Sequence, residues 1–239
     1  MTRPNLLIKN VGILGGMGPD ATIYFFDRIV RNTPAGSDQN HLPIMILNWP
    51  QIPDRTSAVY GNGEDPVPLV QKGINQLAKN GSELISMPCV SIHYFLDRIY
   101  IPTGIEFLNI LNVTAENTLQ LCPEIKRVGI LGTDLTVREN LFFLSFKYHF
   151  VEVIIPQETY QSNFVMKAIY QIKAGLRLEP KLLLLKAIQH LMELGAEAII
   201  SGCTEIPIVI QQNDISIPFI DCLDSLAKAV VHNALRKNK

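Results

Sequence analysis

Asn80-Gly81-Ser82-Glu83-Leu84-Ile85-Ser86-Met87-Pro88-Cys89 returns 114 residues later (203 − 89) as Leu194-Gly195-Ala196-Glu197-Ala198-Ile199-Ile200-Ser201-Gly202-Cys203. Each copy opens on a glycine of the kind that ends a helix, runs through an apolar stretch short enough for a buried strand, and stops on a thiol. Two more blocks repeat in the same order. Val11-Gly12-Ile13-Leu14-Gly15 returns as Val128-Gly129-Ile130-Leu131-Gly132 at an offset of 117 (128 − 11), and Phe107-Leu108-Asn109 returns as Phe219-Ile220-Asp221 at 112 (219 − 107). Ordered blocks with slowly drifting offsets imply duplication of a domain with small loop differences.

Around these blocks short apolar runs alternate with helical patterns. Strands are predicted at 11–14, 44–48, 84–87, 105–108, 127–131, 151–155, 197–201 and 217–220. Helical spacing of apolar residues marks Asp20–Arg31, Val67–Lys79, Leu135–Tyr148 and Lys181–Leu194, with a last amphipathic helix over Ala227–Arg236. Such alternation implies parallel sheets covered by helices on both faces. The predicted fold class is therefore α/β: two similar domains, each a parallel sheet flanked by helices, related by internal duplication. The first domain is expected over 1–109 and the second over 110–220, with the C-terminal helix of 221–239 packing back on the first.

Composition excludes several classes of function. The net charge is −1 with no long basic or acidic run, which points away from nucleic acid and from anionic membrane surfaces. No stretch approaches the roughly 20 apolar residues of a membrane span, and Met1-Thr2-Arg3-Pro4-Asn5 introduces no small-residue cleavage pattern. A cytoplasmic protein with reduced thiols is expected. Cys89, Cys122, Cys203 and Cys222 show neither CxxC nor Cys/His ligand spacing, so no metal site or disulfide framework is predicted. Gly12, Gly15, Gly16 and Gly18 miss the GxGxxG spacing, and Trp49-Pro50 stands where an acidic residue would follow the second strand, which argues against nucleotide binding.

Ligands of open parallel sheets bind beyond the carboxyl ends of the strands. Cys89 and Cys203 both sit at such an end, each before a helical pattern whose first amides would draw a thiol pKa from about 8.5 toward neutrality. Two activated thiols facing each other across one cleft suit the movement of a proton from one face of a carbon to the other. His93, four residues beyond Cys89, is expected to pack or cap, and His41 to be structural. Cys122 and Cys222 read as small apolar core residues.

Five separated blocks carry a resemblance. Gly15-Gly16-Met17-Gly18-Pro19-Asp20-Ala21-Thr22, Asp38-Gln39-Asn40-His41-Leu42-Pro43, Ile52-Pro53-Asp54-Arg55-Thr56, Ile172-Lys173-Ala174-Gly175 and Gly202-Cys203-Thr204-Glu205 follow one another in the order seen in the aspartate/glutamate racemase family, and the chain most resembles its aspartate racemase branch. The resemblance implies cofactor-independent inversion at the α-carbon of an acidic amino acid, aspartate ahead of glutamate, in a homodimer. It makes Cys89 and Cys203 the paired base and acid. Arg55 and Lys173 match positions that hold the substrate's carboxylates, the side-chain carboxylate in particular, and a guanidinium fork suits that anion. Met17, Ser91 and Thr133 match pocket positions, and Thr204 with Glu205 follows the second thiol. Two positions depart from the family. Val90-Ser91 stands where Asn-Thr is usual, and an amide there would supply a charge-assisted hydrogen bond worth roughly 1.5–3 kcal/mol that Val90 lacks. Leu135 replaces a glycine in a tight turn. Alternatives on the same fold are a diacid isomerase, another thiol-dependent reaction, or a dicarboxylate binder without turnover.

Overall fold

A computed structural model describes residues 8–235. Its eight strands, counted among the described residues, form two four-stranded sheets. In the first, β1 (Val11–Gly15), β2 (Ile44–Asn48), β3 (Leu84–Ser86) and β4 (Glu106–Leu108) lie in the order β2-β1-β3-β4. In the second, β5 (Arg127–Gly132), β6 (Glu152–Ile154), β7 (Ala198–Gly202) and β8 (Phe219–Ile220) lie in the order β6-β5-β7-β8. All pairings are parallel. Every expected strand is present within about two residues at either end. The three repeated blocks also take equivalent places, β1 with β5, β3 with β7 and β4 with β8. β1 and β7 are buried at every position, as continuous apolar strands covered on both faces require.

The helices are α1 (Pro19–Asn32), α2 (Arg55–Tyr60), α3 (Val67–Lys79), α4 (Ile110–Leu121), α5 (Asp134–Arg138), α6 (Phe143–Lys147), α7 (Glu158–Tyr160), α8 (Lys167–Lys173), α9 (Leu178–Glu193) and α10 (Cys222–Ala234). A π-helical stretch, Gln161–Met166, joins α7 to α8. Gly81 and Gly195, which open the repeated cysteine blocks, end α3 and α9 with φ of 88° and 95°, a left-handed conformation that glycine adopts without a Cβ penalty.

Two sequence expectations need correction. The single helix over Leu135–Tyr148 is two short helices, because Asn140 takes a left-handed φ of 48° between α5 and α6. Asparagine is among the few residues that tolerate this. The last helix begins five residues before the expected Ala227, at Cys222, because Asp221 caps it there; Arg236 lies outside the described residues. The Asp221 side chain accepts from the Leu223 and Asp224 amides, and Asn109 caps the unexpected α4 in the same way through the Leu111 and Asn112 amides. The Phe107 and Phe219 echoes are thus a strand end followed by an N-cap.

The helix that follows the last strand of each sheet packs on the other half. α4 lies against α6 and β8, and α10 lies against α1, β3 and β4. Phe25 and Ile29 of α1, Leu223, Leu226 and Val230 of α10, and Phe142 and Phe146 beside the second sheet share one core. This exchange supports a proposed division into units of 1–109 and 110–220, with 221–239 returning to the first; 1–7 and 236–239 lie outside the described residues.

His93 ties one strand end to this scaffold. Its Nδ1–H donates to the Cys89 carbonyl at 2.8 Å, and its Nε2 accepts from the Ile110 amide at the start of α4 at 3.3 Å. Burial pushes its pKa down from 6.5 to about 4, so the neutral ring serves both partners. A depressed folded-state pKa means that the unfolded chain takes up the proton first. This contribution to stability is complete above pH 6.5 and is lost as pH falls toward 4, by up to roughly 3 kcal/mol. Urea unfolding between pH 4 and 7 should show that slope. His93→Gln, which keeps a donor and an acceptor but does not titrate, should flatten it relative to the unsubstituted chain.

Candidate active site

The functional rim is built from loops of both halves. A cleft of ≈ 570 Å³ lies between the 16–20 and 50–55 loops on one side and residues 172–175 with Glu205 on the other. Of the expected site residues, Met17, Arg55, Lys173 and Glu205 line it. Cys89, Ser91, Thr133, Cys203 and Thr204 do not; they are buried. Val90 sits in the apolar core that also holds Leu108 and Ile110.

Cys203 follows β7 directly, and its thiol donates to Glu205 Oε2 at 2.9 Å. The Thr204 hydroxyl reaches the same oxygen at 3.4 Å. Glu205 is only 3% exposed, and its other oxygen, Oε1, has no hydrogen-bond partner. A Cβ on Gly18 would stand 3.0 Å from that oxygen, so glycine lets the loop approach it. The thiol is not activated as the sequence led us to expect. Only a short 3-10 turn, Ile206–Ile208, follows Cys203, and burial together with the Glu205 carboxylate pushes the Cys203 pKa well above its ordinary value. At neutral pH Cys203 is a protonated thiol.

Arg55 is held at the start of α2, where Asp54 is the N-cap and accepts from the Ser57 amide at 2.9 Å. Its Nη1 donates to the Ile52 and Pro53 carbonyls at 3.4 and 3.0 Å, and its Nη2 to the Met17 carbonyl at 3.1 Å. The side chain is 7% exposed, and Nε, buried, has no hydrogen-bond partner. Burial alone would lower the guanidinium pKa, but Cys89, Asp54 and Glu205 outweigh it and raise it. Cys89 and Glu205 both lie close enough to Arg55 to raise its pKa, and Glu205 touches Cys203. Both thiols belong to one charged cluster.

Lys173 ends α8, with Nζ 3.9 Å from Asp54 Oδ2. Burial opposes its charge, yet Glu205 and Cys203 prevail and raise its pKa. Ser91 and Thr133 are hydrogen-bonded at 2.9 Å across the two halves, and the Thr133 side chain caps α5. Leu135 is fully buried, packed with the cluster that holds Cys89 and Met17.

Sequence reasoning gave no role to Asp54, although it quoted the residue within a motif. It also missed Asp20, which lines the cleft and pairs with Arg177 at a separation of 157 residues, too far for any local pattern to show. Among the described residues no group of three or more His, Cys, Asp or Glu is arranged to hold a metal ion. None of the described helices is long and apolar enough to cross a membrane.

Comparisons agree on the fold and the chemistry to which it belongs. The family described as Asp/Glu/Hydantoin racemase matches residues 14–230. The broad specificity amino-acid racemase RacX of Bacillus subtilis is 27% identical over 230 residues, covering 94% of this chain and 98% of that one. The structure of Picrophilus torridus aspartate racemase superposes with a TM-score of 0.82 at 31% identity, covering 97% of this chain and 96% of that one. Glutamate racemase from Francisella tularensis, solved with D-glutamate, shares the fold at a TM-score of 0.64 and 16% identity, over 97% of this chain and 84% of that one.

The Cys203–Glu205 pair has a measurable signature. Alkylation of Cys203 by iodoacetamide, followed by peptide mass spectrometry, should remain slow at neutral pH and rise only in strongly alkaline solution. Glu205→Gln removes the negative neighbour and should move the midpoint of that profile to lower pH. A midpoint that stays in place would show that Glu205 does not hold the proton on the thiol.

Proposed function

The chain belongs to the Asp/Glu/hydantoin racemase family and is an amino-acid racemase, an isomerase; from that premise we propose that Cys89 and Cys203 invert the α-carbon by two proton transfers without a cofactor. The observation that carries the proposal is that Arg55 and Glu205 line one cleft, with the Cys203 thiol bonded to Glu205 and Cys89 close enough to Arg55 to raise its pKa. Cys203 begins as the acid, because its proton is held by burial and by Glu205. Cys89, close enough to Arg55 to raise the guanidinium pKa, is the base when Cys203 is the acid. The thiolate takes the α-hydrogen as a proton, so that the C–H bond breaks and an S–H bond forms. Electron density moves into the substrate carboxylate, where a fixed cation stabilises the developing enolate. The Cys203 S–H then breaks and a new C–H bond forms on the opposite face. The enzyme is left with its thiol and thiolate exchanged, ready for the reverse substrate.

The likeness to an aspartate racemase supports the aspartate preference expected from the sequence, and the likeness to RacX supports a wider range. A homodimer belongs to the same proposal, supported by the exposed apolar stripe of Ile23, Phe26 and Val30 on α1. So does a cytoplasmic location, for which the four free cysteines fit a reducing compartment.

Incubation with single L-amino acids in heavy water tests the reaction, with α-deuterium incorporation and optical rotation followed together. Inversion with deuterium uptake is expected. Cys89→Ser and Cys203→Ser should each lower it by about 10²-fold or more, in the range of a lost general acid or base. Exchange without inversion would leave only one competent thiol. Binding without any exchange would make the chain a binder.

A further inference from the structure

We infer that Gln161 is a positioning residue for the racemisation: with the π-helical stretch it begins, it holds the 132–134 turn, and through the Thr133–Ser91 bond it seats Cys89; the inference rests on the two-thiol racemase reading. Gln161 is 2% exposed, and its Nε2 donates to the Gly132 carbonyl at 3.0 Å and to Asp134 Oδ1 at 2.9 Å. Met166, the last residue of the stretch, holds the same turn, for its Sδ accepts from the Asp134 amide at 3.3 Å. Gln161 and Met166 are five positions apart. In an α-helix of 3.6 residues per turn such side chains point about 140° away from each other. The i→i+5 bonding of a π-helix brings them nearly into line, so both ends of the stretch face one turn.

That turn leads to the first thiol. It leaves the carboxyl end of β5, as the cleft-lining loop of Gly16, Met17 and Gly18 leaves the end of β1. The Thr133 hydroxyl within it bonds at 2.9 Å to Ser91 of the other half, two residues beyond Cys89, and at 3.1 Å to Thr136. Val165 and Met166 meanwhile pack in the apolar cluster that holds Cys203. One stretch thus refers both thiols to the same frame. Two features point to a role in function rather than in stability. Gln161 Oε1 is buried with no hydrogen-bond partner among the described residues, a penalty that an apolar side chain of similar size would avoid. A π-helical turn inside a helical run is also rare, and is found frequently at functional sites.

The deciding measurement is the primary isotope effect on kcat/KM for each enantiomer of an amino acid deuterated at its α-carbon. The substrate is whichever of aspartate, glutamate and methionine turns over fastest. Each thiol takes the proton from one enantiomer and returns a proton to make that enantiomer. A variant that slows only the step at Cys89 makes this step more fully rate-limiting. The isotope effect then rises for the enantiomer that Cys89 deprotonates and falls for the other. Gln161→Met keeps the length of the side chain and removes its donor. It should lower kcat/KM about tenfold, since a misplacement of about 1 Å can cost about 100-fold, and should move the two isotope effects in opposite directions. Ser91→Ala, which cuts the same line beside Cys89, should move them in the same sense. Isotope effects do not depend on the fraction of a variant that folds. If Gln161→Met does not fold at all, Asp134→Ala removes one of its acceptors from a half-buried position and should give the same pattern at smaller size. Isotope effects that stay unchanged, move together, or move opposite to those of Ser91→Ala would overturn the inference while the racemase reading stands. No turnover of any of the three amino acids by the unsubstituted chain would overturn that reading, and this inference with it.

Discussion

A carboxylate buried where two halves of a protein meet has to be answered by positive charge, and Glu205 sets that demand here. Arg55 and Lys173 supply the answer, one from each half. Much of the rim follows from this requirement. Gly18 is bare so that its loop can approach Oε1, Asp54 caps the turn that presents Arg55, and three backbone carbonyls hold the guanidinium in place. Taking away both cations would leave a buried charge without compensation, and losing the partner of a buried charge typically costs about 3–5 kcal/mol.

Duplication gives the two thiols equivalent places, but the residues around them are not duplicated. Two positions beyond Cys203 stands Glu205, which accepts a hydrogen bond from its thiol; two positions beyond Cys89 stands Ser91, which bonds instead to Thr133 in the other half. Arg55, whose pKa Cys89 raises, comes from a separate loop. An inverting pair needs one acid and one base at any moment. Under the proposed two-thiol reading, symmetric strands place the two groups, and burial with the Glu205 neighbour holds the proton on Cys203.

This division also explains what could be read from the sequence. The sheets were legible because buried parallel strands are written as short apolar runs, and the repeat fixed their correspondence. Arg55, Lys173, Met17 and Glu205 were legible as motif positions, and they line the cleft. The protonation of Cys203 was not, because it depends on complete burial and on the rotamer of a carboxylate rather than on the residue order. The break at Asn140 was hidden within apolar residues at helical spacing. α4 was hidden because its buried face mixes Thr114 and Thr118, whose hydroxyls bond back to the helix carbonyls, with Ile110, Leu111 and Ala115. The Asp20–Arg177 pair depends on two distant loops meeting, which no local pattern encodes.

The exchanged helices make the site a property of the whole fold. His93 binds the Cys89 carbonyl to the first amide of α4, and α4 packs on α6 and β8 of the second half. The first thiol is therefore positioned through a helix that rests on the half carrying the second. The Ser91–Thr133 bond makes a shorter tie in the same direction. A proton transfer across a carbon tolerates little error in the separation of its two carriers, since reacting atoms must lie about 3–3.5 Å apart. Two α/β units joined only at a hinge would hold that separation poorly. Under the proposed two-thiol reading, the traded helix and the ties of the Cys89 loop to the second half serve to hold the two carriers in place around a single carbon.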